Sequence, residues 1–304
     1  MHILVAVDGS RACQSAIEFL SHRDCLKKND SEVDYLNVQY LIPDGIRRQF
    51  QIESVDAYYE SEGQAVYESM RETLDQAEFA NSRELIKSGD LAEVIAEEAQ
   101  RRDVDMIAMG TRGHSPFVGL LLGSVSTEVL ARTQKPVLLV QKKAEPVKDP
   151  LRVGIAVDGS RYGKAAVDFI VAHPEFFGKD AEFTVLNVVP DFATLLGEHF
   201  TATCVGATSN VINETGELEL VAEQQAAFEK VTDPIVSEML DAGLNVKSVK
   251  LDGVPHKALA WYSQENLDMM IIGSHGRGRF EQAVLGSTAM HLAGSTQKPL
   301  LVIR

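Results

Sequence analysis

Apolar residues fall along this chain in two alternating patterns: short unbroken runs, and longer stretches in which every third or fourth residue is apolar. Ile3 to Val7 is an unbroken run, as expected for a strand covered on both faces. Ser10–Ser21 follows, with Ala12, Ala16, Ile17 and Leu20 on one helical face. The same reading predicts strands at Tyr35–Val38, Arg83–Lys87, Met106–Met109 and Val137–Val140. It predicts helices at Glu62–Ala80, Ala92–Arg101 and Gly123–Arg132. Strands alternating with helices imply an α/β fold with a parallel sheet covered on both faces. Right-handed crossovers then leave only doubly wound topologies.

The pattern occurs twice. HILVAVDGSR (2–11) matches RVGIAVDGSR (152–161), and Leu36-Asn37-Val38 matches Leu186-Asn187-Val188, both at an offset of 150. DVDMIAMG (103–110) matches NLDMMIIG (266–273), and TQKPVLLV (133–140) matches TQKPLLVI (296–303), both at an offset of 163. The second copy therefore carries extra residues between Val189 and Gly253, expected in Pro190–Gly216. The charged stretch between the copies, with two prolines, reads as a linker. The expected architecture is two tandem doubly wound five-stranded parallel-sheet domains, 1–141 and 151–304, joined by 142–150 and related by a pseudo-two-fold axis.

A glycine frame is also repeated. Gly110, Gly113, Gly123 and Ser124 have the same spacing as Gly273, Gly276, Gly286 and Ser287. The first glycine of each frame ends a strand and the glycine-serine pair opens a helix. Ligands of open α/β sheets lie outside the carboxyl ends of the strands, at the point where winding reverses. A helix start offers unpaired N–H groups and a partial positive charge, which suits phosphate. Gly113 and Gly123 would let main chain approach phosphate oxygens. Ser124 would give its hydroxyl to phosphate or to its own helix as N-cap. The plainer reading is a glycine after a strand and a serine cap. Arg112, His114, His275 and Arg277 lie between the glycines, where a cation would help to hold a triphosphate. A solvated loop side chain is the alternative for each.

Composition narrows the choice. The chain has 304 residues and a formal charge of −15, so its overall field does not attract nucleic acid or anionic lipid. No apolar run reaches 18 residues, so no membrane span is expected. The first apolar run is short and stops at Asp8, which favours a buried strand over a targeting signal. Three cysteines without metal-ligand spacing fit reduced thiols in the cytoplasm. The P-loop pattern is absent, and D-G-S-R rather than G-x-G-x-x-G follows the first strand.

With its frame G-x2-G-x9-G-[S/T] complete twice, its A-V-D-G-S opening and its K-P-[VL]-L-[LV]-[VI] ending, the chain resembles the universal stress protein family over nearly its whole length. The resemblance implies an adenine nucleotide alpha hydrolase-like fold and ATP as ligand, with Mg2+. It places Asp8 and Asp158 beside the sugar and metal, although Asp8 could simply cap the helix near Ser10. It places adenine against Val38 and Val188, with Ala6 and Ala156 on the neighbouring strand, and the sugar over Met109 and Ile272. Val125 and Thr288, after the two serines, join the phosphate contacts. It also implies antiparallel pairing of last strands, which a tandem chain can make internally as a pseudo-dimer, Val137–Val140 against Leu300–Ile303, with a further homodimer open.

Three functions follow as expectations. The first is an ATP-binding stress-response regulator with two nucleotide sites and an unknown protein partner. The second is a slow ATPase or phosphotransferase, for which the repeat offers only Asp8/Asp158 and Ser124/Ser287. The third is a nucleotide-free scaffold or small-ligand binder. Gln39–Ser61, with Arg47, Arg48, Tyr58 and Tyr59, and Pro190–Gly216 are expected over the mouths of the two sites.

Overall fold

The computed structural model describes residues 1–43, 45, 54–111, 122–141, 150–189, 214–276 and 285–304, with side chains from 221 onward in the segment that begins at 214. The first half runs β1 (His2–Ala6), α1 (Arg11–Ser21), β2 (Glu32–Gln39), α2 (Val55–Gln76), β3 (Ser82–Ser88), α3 (Leu91–Arg101), β4 (Met106–Gly110), α4 (Ser124–Arg132) and β5 (Val137–Val140). The second runs β6 (Arg152–Ala156), α5 (Arg161–Ala172), the short α6 (Pro174–Phe177), β7 (Glu182–Val189), α7 (Glu214–Asp241), β8 (Asn245–Asp252), α8 (Pro255–Asn266), β9 (Met269–Gly273), α9 (Ser287–Ser295) and β10 (Leu300–Ile303).

The ten strands among the described residues form one sheet in the order β3-β2-β1-β4-β5-β10-β9-β6-β7-β8. Each half is parallel throughout. The halves join where β5 pairs antiparallel with β10, Leu300 facing Leu139 and Val302 facing Val137. Every residue of those two strands is buried, so an edge that would otherwise present bare backbone is closed by its own copy. The internal pairing expected from the last strands is therefore present, and the strand order reads the same from either edge.

Alternation along β1 feeds two cores. Ile3, Val5 and Val7 join α1 and α2 on one face, whereas Leu4 joins α3 and α4 on the other. Both cores run across the seam into the second half. In each half β1 or β6 sits beside β4 or β9, and the winding reverses between them.

Three boundaries differ by more than one residue from those expected. Helix α2 begins at Val55, well before Glu62, because the Ser54 hydroxyl caps it, accepting from Ala57 N at 3.3 Å. Its first turns are largely exposed, so the apolar period is weak there. The helix ends before Ala80, with Glu78 in the left-handed region at φ 52°. Strand β2 starts at Glu32 rather than Tyr35. Its polar Asp34 is fully buried, which is possible only because His2, Arg83 and Arg102 surround its carboxylate.

Candidate functional site

The two D-G-S-R turns are built alike. Asp8 Oδ1 accepts from Ser10 N at 3.0 Å, and Asp158 Oδ1 accepts from Ser160 N at 2.9 Å. Gly9 and Gly159 between them have φ of 78° and 77°, a left-handed bend that other residues rarely adopt. Ser10 is the N-cap of α1, accepting from Cys13 N at 3.2 Å. Asp8 therefore shapes the turn before the helix and is not its N-cap. The carboxylates are held at the carboxyl ends of β1 and β6, beside the ends of β4 and β9.

The glycine-serine helix starts are also alike. Gly123 and Gly286 are the N-caps of α4 and α9, with φ,ψ of −64°,150° and −63°,154° and no side-chain cap. Ser124 and Ser287 are the first helical residues, so neither serine is the N-cap. The N–H groups of the first helical turn have no acceptor within the helix. The connection leaves and returns to one place: Gly123 N donates to Thr111 O at 2.9 Å, and Gly286 N to Ser274 O at 2.7 Å. Arg112, Gly113 and His114 in the first connection, and Arg277 in the second, lie outside the described residues.

The glycines of the frame have different physical reasons. A Cβ on Gly110 would stand 2.7 Å from Ala12 Cβ and 2.9 Å from Cys13 N. One on Gly273 would meet Tyr162 Cβ. The first glycine of each frame thus lets a strand end pass beneath a helix start. A Cβ on Gly276 would stand 2.5 Å from Asp158 Oδ2, which brings these two site residues together. On Gly286 it would lie 3.4 Å from His275 Cα and Ser274 O, a tight but ordinary contact.

Next to these backbone features lies an apolar floor. Ala6, Val38 and Val125 in the first half, and Val188 in the second, are half-buried and pack on one core. Met109, Ala156 and Ile272 are buried in the same core. Thr288 is half-buried in the first turn of α9. His275 is half-buried, hydrogen-bonded through Nδ1 to Ser274 Oγ at 3.1 Å and packed on Tyr162 at 5.5 Å between ring centres. Among the described residues no group of three or more His, Cys, Asp or Glu is placed to hold a metal ion.

The model of the universal stress protein family matches residues 1–141 and 151–304. The chain belongs to the universal stress protein family. It is 27% identical over 207 residues to a universal stress protein of Mycolicibacterium smegmatis, covering 67% of this chain and 63% of that protein. It is 24% identical over 241 residues to universal stress protein Slr1230 of Synechocystis sp., covering 79% and 71%. The chain thus spans less than two thirds of the length of the Mycolicibacterium relative. A universal stress protein from Archaeoglobus fulgidus, solved by crystallography, shares the fold with a TM-score of 0.64 at 24% identity, over 100% of this chain and 96% of that one.

One contact of this universal stress protein was not anticipated from its sequence. Asn37 Nδ2 donates to Val7 O at 2.7 Å, and Asn187 Nδ2 to Val157 O at 2.8 Å. These asparagines tie β2 and β7 to the residue before each site aspartate. Their identity in both copies was the available signal. The stretch Gln39–Ser61, expected over the mouth of the first site, is helical from Val55, with Tyr59 buried and Tyr58 exposed. Arg47, Arg48 and 190–213 lie outside the described residues. No helix among the described residues is long and apolar enough to cross a membrane.

Proposed function

We propose that this chain is an ATP-binding regulatory member of its family, with one adenine nucleotide site in each half. The supporting observation is the same juxtaposition made twice: an uncapped helix start facing the winding reversal, beside a strand-end aspartate and a half-buried apolar floor. In this reading the N–H groups after Gly123 and Gly286 take the phosphates, because a helix start meets negative charge without a lysine. Ala6, Val38 and Met109, and Ala156, Val188 and Ile272, lie against the base and sugar. Asp8 and Asp158 fit a Mg2+ bound mainly through phosphate oxygens, since such ions commonly take only one or two carboxylates. The ion would neutralise phosphate charge in an otherwise acidic protein. Occupancy would bias domain packing or the encounter with a partner protein in the cytoplasm.

Titration with Mg-ATP tests the proposal. Two sites are expected by calorimetry, together with a rise in melting temperature. Saturation at about 100-fold over Kd stabilises by about 2.7 kcal/mol per site. Gly286→Val should remove one site and Gly123→Val the other. No melting shift at millimolar Mg-ATP would remove the proposal.

A further inference from the structure

A cavity of about 490 Å³ opens beside the seam between the halves. Its wall draws on both: Gln134 from the approach to β5, Arg161 and Tyr162 from the start of α5, Ser274 and His275 after β9, and Arg304 after β10. The antiparallel pairing explains the meeting, since Val302 faces Val137 and the end of β10 lies beside the start of β5. The volume is within the range of small-molecule sites.

Its chemistry is cationic. Two arginines and a histidine line the space, together with a tyrosine, a glutamine, a serine and Ala165. No Asp or Glu side chain is among the described residues that line it, although the chain as a whole carries −15. The groups are held in place. Arg304 Nε donates to Thr133 O across the seam at 3.2 Å. Arg161 Nη2 donates to the Tyr162 hydroxyl at 2.9 Å, with its guanidinium carbon 4.9 Å from the centre of that ring. Tyr162 packs in turn on His275.

The repeat supplies a control. At the positions corresponding to Tyr162 and Arg304 the first half has Ala12 and Gln141. The aromatic and the second arginine therefore belong to one copy only, and the duplicated fold does not itself require them.

We propose that this cavity binds a small multivalent oxyanion, phosphoryl or carboxylate in chemistry, between Arg161 and Arg304. Guanidinium groups match such anions through paired N–H donors. The cavity adjoins the helix start at Gly286, since Ser274 O accepts from Gly286 N, but its two arginines lie outside the glycine frame and the proposal does not depend on the nucleotide reading. Its anion comes either from solution or from the terminal phosphates of a nucleotide lying past His275.

Pyrophosphate, titrated by calorimetry into the nucleotide-free full chain, is the probe. The wild-type protein should show a site that Arg304→Gln and Arg161→Gln each weaken by about tenfold or more. Because Arg304 also bonds Thr133, Arg304→Lys and a melting curve check that the fold persists. The exposed Arg161 provides the independent variant. Parallel titrations with ATP and AMP separate the two sources. Weakening of ATP but not AMP in the arginine variants assigns the cavity to the nucleotide's own phosphates. Weakening of pyrophosphate alone assigns it to a separate anion. The proposal is overturned if the arginine variants bind both pyrophosphate and ATP as the wild-type protein does, or if the wild type binds no pyrophosphate and the variants leave ATP unchanged. If the wild type binds pyrophosphate through these arginines but no ATP, the cavity stands and the nucleotide proposal falls.

Discussion

Gly110 and Gly286 occupy the same repeated frame, yet replacing Gly110 by alanine should destabilise the protein and replacing Gly286 should not. A methyl group on Gly110 would sit 2.7 Å from Ala12 Cβ and 2.9 Å from two main-chain atoms, Ala12 C and Cys13 N. Carbon atoms in proteins do not approach this closely, and the first turn of α1 cannot rotate away as a side chain would. Overpacking of this kind costs about 1–3 kcal/mol. At Gly286 the methyl group would lie 3.4 Å from its neighbours, and φ,ψ of −63°,154° is open to any residue. The reduced freedom of the unfolded chain, about 0.4–1 kcal/mol, then roughly offsets the weaker N-cap that alanine makes. Thermal unfolding followed by far-ultraviolet circular dichroism without nucleotide should show Gly110→Ala melting lower, by about 2–4 °C per kcal/mol. Gly286→Ala should stay within about 2 °C of wild type on the same scale. If Gly110→Ala melts with the wild type, or if the two variants lose equal stability, the separation of packing glycine from ligand glycine is wrong.

Acid should act through Asp34. Burial opposes its ionisation, but hydrogen bonds and charge from Arg83 and His2 prevail and hold its carboxyl below the ordinary value. A depressed carboxyl contributes stability that is present above the ordinary carboxylate range and lost as pH falls through the folded-state value. The loss therefore belongs below about pH 4. Asp34→Asn should cost about 3 kcal/mol at pH 7 and flatten that acid limb in urea titrations run from pH 7 to pH 3; an unchanged limb would refute the assignment. Burial pushes the Cys13 thiol up to about 12 and the Cys25 thiol up to about 11. Neither should react with iodoacetamide at pH 8 in the folded protein, and both should react in urea. Mass spectrometry reads the difference, and fast native labelling of Cys13 would contradict its burial.

What the sequence made legible was whatever it wrote locally and twice. Apolar runs located β1, β4 and β5, and the matching runs at Val137–Val140 and Leu300–Ile303 supported the seam. The switch point set the end of β1, and with it Asp8, beside the end of β4. Tertiary compensation was not legible. Asp34 looks like a polar break in β2 until two arginines and a histidine from distant segments close on it. Tyr67 reads as one more apolar position on α2, yet its hydroxyl lies within 2.8 Å of both Tyr35 O and Leu85 O. The packing reason for Gly110 was not legible for a related cause: a missing side chain looks the same in sequence whether a ligand or a helix fills the space. The seam cavity was hidden because its wall comes from four separated segments, and neither copy of the repeat contains it alone.

A symmetric pair of identical chains would have to carry the same residues at both sites; a tandem chain is free of that constraint, and this one has used the freedom. In the first half Ser126 Oγ donates to Gly110 O at 3.1 Å and Thr127 Oγ1 to Gly123 O at 2.9 Å, fastening the helix start to the strand end. The corresponding residues of the second half are Ala289 and Met290, which have no hydroxyl to give. There the connection is instead braced by Asp158 against Gly276 and by His275 against Tyr162. Asp8 is exposed where Asp158 is half-buried. Ligands at the two helix starts would thus meet surroundings preorganised to different degrees. The continuous sheet keeps the halves in one register while these details diverge, so the common frame preserves the geometry and the unshared neighbours set how each half uses it.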